Sequence, residues 1–307
     1  KQYISYVLAT VFFVLGSIVS INLYLNDFGL FGNRDSIRIW GVEKTSKYLL
    51  SFNYIPDNFE GVLVGPSTSS NLDTRKIDGF KIYNLSMSGG NISELKYPLE
   101  NILGHKNIKY MVICLYPYFT KNSGRKGMQI DKKEYWGSLY SVIPLIILGK
   151  KVYFKLFPEN DVLHSSEWGF HDENILKTNV DFKKIIKKRL REGEKDIVVD
   201  PVAFVELRDV ISYARANDVK IIAYYYPVYY EFMNKYKTGA WSVYKSKMNG
   251  LFTDDDLVWD MNFPEYEYIT HNQSSYIDGH LSGLGADKVV SDIESKLKMT
   301  QSNKPNE

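Results

Sequence analysis

The sequence predicts an α/β domain built on a parallel sheet and preceded by a transmembrane helix. Two observations predict it. From Gly61 onward, short apolar runs alternate with stretches whose apolar residues recur at helical spacing; strand alternating with helix gives a parallel sheet covered on both faces. Upstream, residues 3 to 25, YISYVLATVFFVLGSIVSINLYL, carry no charge. As a helix rising 1.5 Å per residue this run is about 34 Å long, enough to cross a bilayer.

The N-terminal run is apolar on all sides, unlike the one-sided stripe of a core helix. A cleavable signal peptide is the competing reading, but no small-x-small site precedes Asn26, so an uncleaved anchor over residues 1–25 is expected. Only Lys1 precedes the run while Arg34 and Arg38 follow it, which leaves the orientation unset by flanking charge. Residues 26–60 read as a membrane-proximal linker and lead-in to the domain, and NDFGLFGNRD at its start, rich in Gly and Asn, suits a linker rather than a packed element.

Strands are expected at 61–65, 80–87, 108–116, 219–227 and 257–261, each a short apolar run bounded by turn residues. Helices are expected at 91–104, 201–217, 240–252 and 283–298; the last carries Val289, Val290, Ile293 and Leu297 on one stripe. The domain thus covers 61–298, with a flexible tail at 299–307. Residues 117–200 break the alternation and read as a helical insertion near the sheet edge, or else as a lid or interfacial element. Its IPLIILG run is too short to span a membrane. Its basic stretch KKIIKKRLR reads as a solvated helix face, with anionic headgroups or an acidic polymer as the alternative.

Composition excludes some classes. With 38 basic and 36 acidic residues the net charge is +2, so no global field draws nucleic acid. A single cysteine, Cys114, permits neither an internal disulfide nor a cysteine metal cluster, and reads as a small buried hydrophobe. His164 and His171 lack an obvious third ligand, and TDDDL at 253 reads as a solvated loop, so no metal or other cofactor is expected.

Function in an open α/β sheet gathers at the carboxyl ends of the strands. Three loops there carry chemistry-bearing residues. GVLVGPSTSS places Ser67 directly after the first strand, where a serine commonly only caps a helix; NLSMSGGNISEL brings Gly89 and Gly90 to the end of the second; YIDGHLSGLGA sets Asp278 and His280 ahead of the last helix. A nucleophilic serine needs a base within reach, and the base needs a carboxylate to hold its tautomer. Ser67, His280 and Asp278 supply the three types, with the cap role passing to Ser69 or Ser70. His271, Tyr226 and Tyr116 stand near these loops as candidate substrate contacts.

GVLVGPSTS, YNLSMSGGNISEL and YIDGHLSGLGA resemble the first, second and last blocks of the SGNH (GDSL-like) hydrolase superfamily. The branch they resemble is the membrane-anchored one acting on bacterial envelope polymers, with the alginate O-acetylation proteins and the teichoic acid D-alanyl transfer protein; NLYLNDFGLFGN looks like its anchor-to-domain segment. The resemblance covers residues 22–120 and 219–298. It implies a flavodoxin-like three-layer αβα sandwich, with Ser67 as nucleophile, His280 as general base, Asp278 orienting it, and the amides of Thr68 and Gly89 as oxyanion donors. Pro66 departs from the pattern, which has Asp or Ser there. The third block, Gly-x-Asn-Asp, is absent, with Asn122 only a distant substitute, and Asp278 stands two residues before His280 instead of three.

The resemblance implies a membrane-anchored esterase or O-acyltransferase, acetyl being the acyl group. It would act on an extracytoplasmic polysaccharide, with a multi-spanning membrane acyltransferase as partner and acyl donor. Two other classes stay open at this level: a catalytically degenerate module of the same fold that binds polysaccharide or scaffolds export, and a tethered solute-binding or signalling domain.

Overall fold

The structure, a computed structural model, describes residues 2–32, 34–40, 43–121, 133–158, 166–171, 181–192 and 194–302. Asn122 and His164 lie outside the described residues. The chain begins with α1 (Gln2–Leu25), followed by α2 (Glu43–Leu50), α3 (Tyr54–Asn58), β1 (Gly61–Val64) and a short α4 (Ser67–Ser70). Then come β2 (Ile82–Asn84), α5 (Ile92–Leu103), β3 (Tyr110–Leu115), α6 (Glu134–Tyr140), α7 (Ile143–Leu156) and α8 (Phe182–Leu190). The rest comprises α9 (Pro201–Ala216), β4 (Lys220–Tyr225), α10 (Tyr230–Met233), α11 (Ala240–Asn249), β5 (Leu257–Asp260), α12 (Glu267–Thr270), the hairpin β6 (Tyr276–Ile277) and β7 (His280–Leu281), and α13 (Gly283–Ser302).

The five expected strands form one parallel sheet in the order β2-β1-β3-β4-β5. Period-two alternation sends successive strand residues to opposite faces. On one face Met111, Ile113 and Leu115 of β3 join Ile221 and Ala223 of β4 in a core with Leu95 and Leu99 of α5 and Leu207 and Ile211 of α9. On the other, Val112, Cys114, Ile222 and Tyr224 pack with Val289, Val290, Ile293 and Leu297 of α13. Leu99 and Leu297 are fully buried, each contributing about 1.5–3 kcal/mol by leaving water. The order reverses direction between β1 and β3, and the carboxyl ends of strands at such a reversal are the region where ligands bind in open α/β sheets.

Two expectations are corrected. Residues 26–32 and 34–40 are no loose linker: Phe28, Leu30, Ile37 and Ile39 enter the core, and the Asn26 side chain pairs with both the amide and the carbonyl of Phe31. Two helices, α2 and α3, continue this packed lead-in. An aperiodic loop shows no hydrophobic period, so its burial is invisible to pattern. Residues 299–302, expected in a tail, prolong α13. Near β2, the Asn84 amide donates to the Trp168 carbonyl at 2.8 Å, so residues 166–171 cover that sheet edge.

α1 has the length and composition to cross a membrane. Residues 2–16 are exposed throughout, and burial begins only in the last turns.

Candidate active site

The turn after β1 is shaped by close approach. A Cβ on Gly65 would lie 2.3 Å from Ser69 Oγ and 2.7 Å from Cys114 Cβ, so only glycine lets the chain bend over β3. Pro66 has φ −78°, near the value its ring imposes, and its carbonyl accepts from the Ser69 amide at 3.1 Å and from Ser69 Oγ at 3.0 Å. Ser67 is then the first residue of α4. Ser69 and Ser70 do not cap this helix amino terminus: Ser69 Oγ donates to Pro66 O and Ser86 Oγ, and Ser70 Oγ to Ser67 O. Cys114 is fully buried beneath the turn, and burial pushes its thiol up to about 11.

His280 reaches Ser67 across 213 residues of sequence. Its Nε2 lies 3.1 Å from Ser67 Oγ, and its Nδ1 lies 2.8 Å from Asp278 Oδ1. With Asp278 ionised, Nδ1–H donates to the carboxylate and Nε2 is left to accept the serine proton. The two side chains are 25% and 30% exposed, so the pair borders solvent while remaining anchored below.

The two-residue Asp-x-His spacing has a backbone cause. Asp278 and Gly279 form the loop between β6 and β7 with φ +49° and +98°. Positive φ at both central positions is the mark of a type I′ hairpin, for which Asp-Gly is a favoured pair. The turn folds the carboxylate back onto the histidine that opens the next strand. Asp-Gly between short apolar segments was the sequence signal for this hairpin, and a reading based on catalytic spacing alone passes over it.

Three side chains hold the hairpin from outside. Tyr226 Oη donates to Gly279 O at 3.3 Å, Asn71 Nδ2 to Leu281 O at 2.7 Å, and the Arg189 guanidinium to Asp278 O. Arg189 also lies over the Phe232 ring at 5.0 Å. It belongs to KKIIKKRLR, expected as a solvated face; that reading fits the neighbouring lysines but not Arg189, which turns inward. No local pattern distinguishes it from them.

Gly89 follows β2 on the same end of the sheet. The Leu85 amide donates to Leu63 O at 2.8 Å and that of Met87 to Gly65 O at 3.3 Å, so the second loop runs alongside the turn that carries Ser67. Gly89 has φ +60°. The Thr68 amide, in the first turn of α4, has no carbonyl partner within its helix. Two features missed in the sequence support this region. Asn84 Nδ2 donates to Ser69 O at 2.9 Å and Leu72 O at 2.9 Å, and its Oδ1 accepts from the Ser86 amide at 3.0 Å. On α2, Lys47 is fully buried against Glu43 at 3.0 Å and donates to Ser86 O, while Glu43 accepts from the Ser88 amide at 3.0 Å. Burial opposes the ionisation of Glu43, but the Lys47 charge and the Ser88 amide outweigh it and hold the carboxyl below its usual range.

The remaining candidates each have other contacts. Tyr226 is 1% exposed and supports the hairpin instead of offering itself to a ligand. Tyr116, half-buried, sets its ring against Tyr226 with centroids 5.3 Å apart. His271 is exposed, stacked on Tyr230 at 4.6 Å with its Nδ1 on Thr270 Oγ1. In TDDDL, Asp256 is engaged by Arg215 and by the Thr253 amide. No protein-family model, curated protein or solved structure matches the chain.

Proposed function

We propose that the chain is a membrane-anchored serine acyl esterase or acyltransferase working through an acyl-Ser67 intermediate. The observation that carries this reading is the continuous line from Ser67 Oγ to His280 Nε2 at 3.1 Å and from His280 Nδ1 to Asp278 at 2.8 Å. Ser67 Oγ attacks the acyl carbonyl while its proton passes to His280 Nε2; the same proton then goes to the departing alkoxide, leaving the ester on Ser67. Water or an acceptor hydroxyl reverses the sequence, giving its proton to His280 as it takes the acyl group. The amides of Thr68 and Gly89 are the oxyanion donors in this scheme.

Resemblance of the three sequence blocks to the SGNH superfamily supports this chemistry. It extends the reading to an O-acetyltransferase of an extracytoplasmic envelope polysaccharide, with α1 as the anchor and a multi-spanning membrane acyltransferase as acyl donor. The sheet order and the position of Ser67 after β1 accord with that resemblance.

The test is direct. The full chain in detergent is incubated with p-nitrophenyl acetate or a fluorophosphonate probe, and peptides are read by mass spectrometry. An adduct on Ser67, absent in Ser67→Ala and strongly reduced in His280→Ala, is the expected result. Modification of a different serine refutes the assignment. A folded chain that stays unmodified with both reagents points instead to the degenerate polysaccharide-binding module.

A further inference from the structure

The consecutive helices α6 and α7 expose a face that a water-facing helix would not carry. Positions Ile143, Pro144, Ile147, Lys151 and Phe154 of α7 turn toward the protein. At 100° per residue the opposite arc, about 180° wide, holds Leu145, Ile146, Leu148, Val152, Tyr153 and Leu156, all substantially exposed. The described charges outside the buried stripe are Lys150 and Lys155, and both sit at the borders of that arc. This is the pattern of an interfacial helix whose usual polar side has been replaced by contact with its own domain. On α6, Trp136 and Tyr140 are 66% and 60% exposed, residue types that concentrate at the boundary between headgroups and acyl chains.

The position of these two helices says what covers them. Asn22, buried on the last turns of α1, donates through Nδ2 to the carbonyls of Ser138, Leu139 and Ser141 at 3.1, 2.7 and 2.9 Å, closing the carboxyl end of α6. The half-buried part of α1 starts at Ser17, so α6 and α7 pack within about 12 Å of its C-terminal end. That is the depth at which a spanning helix leaves hydrocarbon. Charge agrees with this placement: Arg34, Arg38, Lys151 and Lys155, with Asp27 and Glu167, line a cavity of about 450 Å³ beside Leu25.

We infer that α6 and α7 form a second membrane contact, lying in the plane of an anionic bilayer with the Leu148 and Val152 face among the acyl chains and the flanking lysines among the headgroups. The inference rests on the reading of α1 as a membrane span. Two contacts, one crossing and one lying flat, fix the tilt of the domain, which a single tether leaves free. The sequence expectation of an interfacial element within 117–200 thus narrows to these two helices.

The full chain is reconstituted into phosphatidylcholine vesicles with and without phosphatidylglycerol, carrying one added cysteine labelled with an environment-sensitive fluorophore. Buried Cys114 stays unlabelled in the folded protein. Leu148→Cys and Val152→Cys labels are expected to be several-fold less quenched by aqueous iodide than a Val243→Cys label on α11, and to be quenched by lipids spin-labelled near the headgroup. Phosphatidylglycerol should strengthen the effect. Equal iodide access at all three positions overturns the inference. So does shielding that scales with protein concentration without lipid quenching, which assigns the face to a second copy. A Phe12→Cys label reports α1 separately: lipid-embedded Phe12 with aqueous Leu148 leaves the anchor standing and removes only the second contact.

Discussion

Asn84 is the clearest place to test whether the second strand braces the turn that carries Ser67. Its side chain is fully buried and spends both amide protons and its oxygen on backbone groups of the two loops. In Asn84→Ala, Ser69 O still accepts from the Leu72 amide at 3.2 Å, and Ser70 O from the His171 amide at 2.7 Å. The Leu72 carbonyl and Ser86 amide lose the one partner each has among the described residues. Two buried groups left unsatisfied cost about 1–3 kcal/mol each, so a loss of about 2–6 kcal/mol is expected against a typical total of about 5–15 kcal/mol. Urea unfolding of the full chain in detergent, followed by tryptophan fluorescence, reads it as a lowered midpoint at unchanged slope. Asn217→Ala, removing one exposed bond to Tyr213 O, is the control and should stay within about 0.5 kcal/mol. A loss under about 1 kcal/mol for Asn84→Ala would refute the bracing role.

Three further outcomes are expected. Gly279→Ala, at φ +98° with its new Cβ 2.5 Å from Arg189 Nη1, should cost about 1–3 kcal/mol and slow fluorophosphonate labelling of Ser67, whereas wild-type labelling would show that the hairpin does not position His280. Glu43 has a folded pKa below its unfolded value, so its stabilisation exists above about pH 4.3 and fades as pH falls through the folded pKa; Glu43→Gln should be less stable than wild type at pH 7, with the gap closing below about pH 4, and a gap unchanged with pH contradicts this. Cys114, buried and with its thiol raised to about 11, should resist iodoacetamide at pH 8 in the folded chain and react after unfolding in urea; rapid labelling of the native protein would show the turn to be open.

Much of the architecture was legible because it rests on local periods. Alternating short apolar runs located all five strands, and helical stripes located α5, α9, α11 and α13, since burial on a sheet or helix face imposes a repeat on neighbouring residues. Ser67, Asp278 and His280 were legible as types at strand ends. Their joining was not: the Ser67–His280 contact closes over a long separation, and no spacing rule encodes it.

Sequence by itself determined the charge-free helix, the sheet content and the chemistry available at three loops, because composition and period act within a few turns of chain. Tertiary structure alone decided the strand order, the inward turn of Arg189, the burial of Tyr226 beneath the hairpin, and the Glu43–Lys47 pair under the second loop. It also decided which side of α7 the protein leaves uncovered. Each of those depends on which distant surface arrives to desolvate or pair a group, and that is fixed only when the whole chain packs.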